Sequence, residues 1–490
     1  MSTPAPHELS LTELRGLIRR RELSSRELLD HYVARIEARN PPVNAVVTID
    51  LERAHAAAAA ADEATAAGRS HGVLHGIPVT IKDALAVAGM RSTGGATELR
   101  DHVASEDADV VAAVRAEGAI PFAKTNVPRW SGDVQTYNDI FGTTNNPWDT
   151  SRAPGGSSGG AAAAVALGFT AFEIGTDIGG SVRIPSAWCG VAGHKPSFGL
   201  VPSGGYIDRI RYGTTEPDIN VHGPIARSVA DLELLMGILA RPRPDRAVAV
   251  HHALPRPRHE RIDGHRVALW SHSDACPPSL DTIAAVERAG DVLASLGARV
   301  DRAARPAIDA DAAVQLGVLL VSSATTPALS DADVARFRAT VTDPATSDDA
   351  RRALASYTLA HHDWLAADVE RTRMRAEWHR FFGDVDVLVC PVIATPPIPH
   401  DQQGGLRNRT ITIDGAGRPY LDLLWWTVLI GMAYLPATVV PVGTTADGLP
   451  LAVQVVGPFM EDRTCLAVAR ALRDALGPMT FPDTARNPAN

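Results

Sequence analysis

Two short stretches hold most of the chemistry this chain can offer. Gly155-Gly156-Ser157-Ser158-Gly159-Gly160 and Gly175-Thr176-Asp177-Ile178-Gly179-Gly180-Ser181 set hydroxyls among glycines. Glycine lets a backbone approach a substrate closely, and amide N–H groups in such turns can face a developing negative charge. Hydroxyl nucleophiles beside an oxyanion cradle are the parts of acyl transfer. What remains to be found is a base. Histidine is the usual one, but the 17 histidines are scattered, and none sits in a strand-end motif beside an aspartate.

Lysine supplies a better candidate. Of 47 basic residues only Lys82, Lys124 and Lys195 are lysines. Arginine cannot release its proton in a protein, whereas a desolvated lysine can and then acts as a base. A preference for arginine explains why lysine is rare, but not why the three survivors surround the serine-glycine stretches. Lys82 ends the apolar run Gly76-Ile77-Pro78-Val79-Thr80-Ile81 and precedes Asp83, and strand ends are where α/β sheets carry functional groups. To work near neutrality its pKa must fall from about 10.4 to about 7–8. That costs about 4 kcal/mol, within reach of burial.

Other readings of the serine stretch fit less well. Gly155-Gly156-Ser157-Ser158-Gly159 matches G-x-S-x-G, but that elbow needs a strand before the serine, and Asn145 to Pro154 is polar and turn-like. Neither phosphate-loop pattern is present. A flexible linker would not run straight into helix-forming Ala161–Ala164.

The elements that must hold these residues alternate. Capping boxes at Ser10–Glu13 and Ser24–Glu27 open two helices, and Leu51–Ala67 forms a third that Gly68 closes. Strands are then expected at Ile77–Ile81, Ala119–Phe122 and Phe172–Ile174, and later at Val267–Trp270, Val385–Val389, Thr438–Pro441 and Leu451–Val456. Helices are expected at Asp107–Glu117, Ala161–Leu167, Ser228–Leu239, Leu280–Leu296 and Glu461–Leu476. This alternation predicts a parallel or mixed sheet covered by helices on both faces. Residues 241–261, rich in Pro, Arg and His, could link domains, but no composition shift accompanies them. One domain over 1–490 is expected: a helical segment (1–70), a core (71–240), an excursion (241–384) and a return to the sheet (385–490). Residues 483–490 read as a frayed tail.

Composition narrows the function. With 45% hydrophobic residues the 490-residue chain can bury a large core. A net charge of -9 argues against nucleic acid or anionic membrane as the main partner, so Arg19-Arg20-Arg21 reads as a solvated helix face. No apolar run is long enough to span a membrane, and the N-terminus lacks the layout of a secretory signal. The four cysteines lie far apart without metal spacing, as in a reduced cytoplasmic protein. No metal or cofactor is expected.

With these residues in view, the chain resembles the amidase signature family of serine hydrolases. The likeness rests on Gly76–Asp83, Lys124-Thr125-Asn126, Pro154–Gly160, Gly175–Pro185 and Cys189–Ser197, and near the C-terminus on Leu435-Pro436-Ala437 and Gly448–Gln454. It is weak from Arg241 to about Val385. The resemblance implies a three-layer α/β/α amidase signature fold and a Ser–cis-Ser–Lys triad. In that triad Ser181 is the nucleophile, Ser157, preceded by a cis peptide, is the bridge, and Lys82 is the base. It further implies an oxyanion hole from the N–H groups of Ile178, Gly179, Gly180 and Ser181, with Ser158, Asp177 and Arg183 supporting the loop. Lys124 and Lys195 are expected to pack or anchor loops.

The expected activity is hydrolysis of a linear amide C–N bond through an acyl-enzyme. The alternatives are carbamate (urethane) or ester hydrolysis, and service in a partner-dependent amidotransferase as one of its subunits. Two departures from the family pattern stand out. His194 precedes Lys-Pro where the family more often has an apolar residue. Val127–Gly132 lacks the acidic-aromatic motif of the glutamyl-tRNA amidotransferase subunits, which favours a stand-alone enzyme, a monomer or homodimer, acting on a small amide or carbamate. The resemblance sets Trp130 and Ser131 on a loop facing the acyl group. Tyr137, Phe141, Trp425, Trp426 and Tyr434 are further candidate walls, and the paired tryptophans hint at an apolar or aryl substrate.

Overall fold

The computed structural model describes residues 4–207, 215–325, 330–477 and 481–482; the expected frayed tail at 483–490 lies outside them. The N-terminal helices form where the capping signals stand. Ser10 accepts from the Glu13 amide and Ser24 from the Glu27 amide, opening helices Leu11–Arg19 and Ser25–Arg39. Gly68, at φ +73°, follows the end of helix Leu51–Ala66.

The centre is an eight-stranded mixed sheet. Its order is Arg299–Asp301, Arg266–Leu269, Val387–Pro391, Pro450–Val456, Ala437–Thr444, Ala192–Lys195, Val221–Ala226 and Phe172–Asp177. The first three strands run parallel to one another and the remaining pairings are antiparallel. Helices Val229–Leu239, Leu280–Ser295 and Asp462–Leu476 appear within two residues of their expected bounds.

Two expectations are corrected. The strand ending in Lys82 does not belong to the large sheet. Pro78–Lys82 lies parallel to Ile120–Thr125, which pairs antiparallel with Val46–Ile49, in a separate three-stranded sheet. Second, 241–384 is not an excursion outside the sheet, because two of its strands, Arg266–Leu269 and Arg299–Asp301, form the sheet's edge. Within residues 241–261, Arg258 pairs with Glu461 at 2.6 Å and with Asp386 at 3.3 Å, tying the segment to the fold. Strands Val46–Ile49, Ala192–Lys195, Val221–Ala226 and Arg299–Asp301 were not expected. They are short, and several carry Gly, His or Lys rather than an apolar run.

Between the two sheets runs the helix Gly159–Ala166, every residue of it buried. Small side chains let backbones close in. A Cβ at Gly160 would sit 2.4 Å from the Asn126 nitrogen, so glycine is required there. Among the described residues no helix is long and apolar enough to cross a membrane, and all four cysteines are free and buried.

Candidate active site

The base candidate sits where two sheets meet. Lys82 is fully buried at the end of its strand. Its amide reaches Glu173 Oε2 of the neighbouring strand Phe172–Asp177 at 3.2 Å. Its Nζ lies 2.7 Å from Ser157 Oγ, 3.0 Å from Ser158 Oγ and 2.7 Å from Thr176 Oγ1. Burial pushes the Lys82 pKa down to about 7, with Glu173 and Asp177 pulling the other way. Glu173 is itself pushed up to about 8 by burial. The lysine is therefore partly neutral at neutral pH.

Ser157 follows a cis peptide, Gly156–Ser157, and both Ser157 and Ser158 are fully buried. The Ser158 amide donates to the Ser181 carbonyl at 3.2 Å, joining the two serine loops through the backbone. Ser158 thus touches Nζ directly rather than only bracing the loop. Thr176 is a contact that the residue-by-residue reading missed. Its only signal was a buried hydroxyl two residues from Ile174, on a strand where alternate side chains share a face.

Ser181 and Ile178 are half-buried, whereas Asp177, Gly179, Gly180 and Val182 are buried, so the turn shows solvent these two residues. Asp177 organises it. Its carboxylate accepts from the Gly180 amide (2.8 Å), the Val182 amide (3.1 Å) and the Arg183 guanidinium (2.9 and 3.0 Å). Burial acts to raise the Asp177 pKa, but the Arg183 charge and these donors hold it at about 2. Arg183 also donates to the Thr427 carbonyl at 2.9 Å, and Thr427 Oγ1 donates to the Gly179 carbonyl at 2.7 Å.

This clamp corrects the expected oxyanion hole. The Gly180 N–H is committed to Asp177, while among the described residues the amides of Ile178, Gly179 and Ser181 have no acceptor. Gly180 contributes instead its φ of +123°, which a side chain would strain. The Ser181 hydroxyl has no hydrogen-bond partner among the described residues, so Lys82 and Ser157 are linked and Ser181 stands beside them unlinked. In unliganded sites catalytic hydrogen bonds are commonly long and tighten in the substrate complex.

The other two lysines hold backbone. Lys124 Nζ donates to the Leu85 carbonyl and, at 3.0 Å, to Ser92 Oγ. Lys195 Nζ donates to the Pro196 carbonyl at 2.8 Å. Burial lowers their pKa values to about 8 and about 7. His194 contacts Thr438 Oγ1 (2.9 Å) and Asp462 Oδ1 (3.0 Å), tying its strand to the C-terminal helix.

The expected pocket residues divide. Trp130 and Ser131 form a half-buried turn with φ +54° and +53°, and the Ser131 hydroxyl is buried without a partner among the described residues. Left-handed backbone at two consecutive non-glycine residues is rare and clusters at functional sites. Tyr137 donates to Asp133 Oδ2 at 2.9 Å and accepts from Arg409 at 2.8 Å. Trp426 is corrected: its ring is fully buried against Trp270 and Trp425, at 5.5 and 4.9 Å between centroids, and belongs to the core. Of the apolar surface beside the reactive turn, only Tyr434 was among the expected walls. Ile178 packs against a small buried cluster of Ile219, Leu320 and Ala367, and Leu316, Trp364 and Tyr434 pack against the same cluster. Leu316, Leu320 and Trp364 come from the stretch where the resemblance is weak.

Known proteins match this arrangement along the whole chain. The Amidase family model matches residues 27–466. The chain is 34% identical over 476 residues to an acylamidase of Rhodococcus erythropolis, covering 94% of each. It is 33% identical over 490 residues to a glutamyl-tRNA(Gln) amidotransferase subunit of Roseiflexus sp. (strain RS-1), covering 95% of this chain and 96% of that one. The fold matches a bacterial aryl acylamidase of the amidase signature enzymes with a TM-score of 0.78 at 26% identity, over 95% of this chain and 96% of the other. A buried lysine on two adjacent serines, a glycine turn held by an Asp–Arg pair, and these matches lead to one conclusion: the chain belongs to the amidase signature family and is an amide hydrolase of that kind.

Proposed function

We propose that this chain is a stand-alone, cytoplasmic hydrolase of small amides that works through a Ser181 acyl-enzyme. The observation that carries the reading is the fully buried Lys82, with Nζ 2.7 Å from Ser157 Oγ and a pKa near 7. A neutral amine has two N–H donors and one lone pair, and three hydroxyls surround this one. One hydroxyl must therefore donate to it. The Ser158 hydroxyl faces the Thr176 carbonyl at 3.5 Å, and the relay is assigned to Ser157, 2.7 Å from Nζ on the loop joined to Ser181. Lys82 takes the Ser157 proton as Ser157 takes that of Ser181, and Ser181 Oγ attacks the acyl carbon. The amides of Ile178, Gly179 and Ser181 receive the developing oxyanion. The proton returns by the same path to the leaving nitrogen as the C–N bond breaks. Water, deprotonated by the relay, then releases the acid.

The apolar cluster around Ile178 supports an apolar or aryl group on the substrate. Service within an amidotransferase complex is the second reading, favoured by the 33% identity to the Roseiflexus protein. Assay of the purified chain alone separates the two. Wild type is expected to release amine from simple aryl amides, and Ser181→Ala to lose at least about 10⁴-fold in kcat, as when a nucleophile is removed from a coupled triad. Release that survives in Ser181→Ala overturns the nucleophile. No release from a panel of amides, carbamates and esters without added proteins overturns the stand-alone reading.

A further inference from the structure

The run Arg19-Arg20-Arg21 does not behave as one solvated face. Arg20 pairs bidentately with Glu22 at 2.8 and 2.9 Å. Arg19 and Arg21, with Arg15 and Arg69, border a cavity of about 340 Å³ that Thr65, Ser70 and His75 help to wall. Among the described residues lining it there is no aspartate or glutamate, in a chain of net charge -9.

The cavity lies between two helix ends. Helix Leu11–Arg19 closes with the Glu22 amide on the Leu17 carbonyl (2.9 Å) and the Arg21 amide on the Ile18 carbonyl (3.0 Å), with Arg21 at φ +62°. Helix Leu51–Ala66 closes in the same way, but with Gly68 in the left-handed position. Glycine is the usual residue there, so Arg21 holds its place against backbone preference. Its guanidinium donates to the Thr65 and Ala66 carbonyls at 2.9 and 3.1 Å, and Arg15 Nε donates to the Val73 carbonyl. These carbonyls orient two forks without neutralising them. Arg19 and Arg69 have no ion-pair partner among the described residues.

The helix dipoles do not account for so much positive charge. Two C-termini bring about -0.5 each against four guanidiniums. Glu117, which accepts from the Val73 amide at 2.9 Å near the edge, removes one more unit. Asp231, bound to the Leu11 and Thr12 amides, also offsets Arg15. The balance stays positive, at roughly +1 on this count.

We propose that this cavity binds a small anion of two or more negative charges, a phosphate ester or a polycarboxylate. Arginine forks match such oxygens bidentately, and the volume suits a small molecule. None of the Lys82–Ser181 residues lines it, so the inference does not depend on the reaction.

The test is calorimetric titration and thermal melting of the full chain with inorganic pyrophosphate and with citrate, at chloride-matched ionic strength near 0.15 M to screen loose surface attraction. At least one probe is expected to saturate a single site and raise Tm. Arg19→Gln/Arg69→Gln is expected to bind at least about tenfold more weakly, the loss of about one charge-assisted hydrogen bond, with the ligand-free Tm unchanged. Arg21→Gly, which relaxes the left-handed turn, is expected to weaken binding without unfolding the chain. Saturation by pyrophosphate alone assigns phosphate esters, and by citrate alone polycarboxylates. No saturation by either probe, or undiminished affinity in both variants, overturns the proposal.

Discussion

At the level of single residues, the chemistry turns on whether Lys82 is neutral. Its ammonium form has no lone pair and cannot accept a proton. With a pKa of about 7 in the folded chain, kcat/KM is expected to rise with pH through about 7 and to fall about tenfold per unit below it. A pH–rate profile flat from 5 to 8 contradicts the lysine base. Lys82→Arg is expected to be inactive, since guanidinium stays charged. Thr176→Val probes the same balance more gently. It removes one acceptor, 2.7 Å away, that favours the charged form, so the acid limb should move down by about 1–2 pH units. That is the size expected for a hydrogen bond to a charged group at 1.36 kcal/mol per unit. An upward move would mean that Thr176 favours the neutral amine.

At the level of elements, the site depends on close approach between the two serine loops and the strands around them. Gly160 sits so near Asn126 that Gly160→Ala must displace backbone. It is expected to destabilise by about 1–3 kcal/mol, read as a lower denaturation midpoint with an unchanged m-value. Asp177→Asn acts differently, because Arg183 is fully buried with it. Leaving that guanidinium without its counter-charge is expected to cost about 3–5 kcal/mol and to lower kcat by loosening the Ser181 turn. A variant as stable as wild type would show that the Thr427 carbonyl (2.9 Å) and Gln454 Oε1 (3.4 Å), to which Arg183 also donates, satisfy it alone.

For the molecule as a whole, the unusual feature is charge kept inside. Burial depresses Lys82, Lys124 and Lys195 to about 7, 8 and 7, whereas lysine in an unfolded chain titrates near 10.4. Around pH 8 these lysines make the unfolded chain bind more protons and add stability as pH rises, while the four buried cysteines, whose pKa values burial raises, oppose them as the unfolded thiols ionise near about 8.5. Glu173, raised to about 8, also opposes them below pH 8, where its folded form keeps a proton that the unfolded form has lost. Over pH 8 to 9.5 the Tm of Lys195→Met is expected to rise less, or fall more, than that of wild type, because the variant lacks the lysine's contribution. An identical pH dependence in the two proteins would mean that Lys195 is charged in the folded state.

Much of this was legible in one dimension, for a local reason. Capping boxes, apolar runs and a helix-forming alanine stretch act over a few residues, so the helices at Ser10 and Ser24 and the strands on either side of the serine loops could be placed from the sequence. The scarcity of lysine pointed to Lys82, because only a removable proton makes a base. Which sheet Lys82 ends, that Thr176 touches its amine, that the Gly180 amide is taken by Asp177 and that Trp426 is core while Trp364 shares an apolar cluster with Ile178 all depend on contacts between distant segments. No local pattern encodes those contacts. Burial decides the rest: the same lysine is a surface charge or a base according to how much water the fold removes from around it.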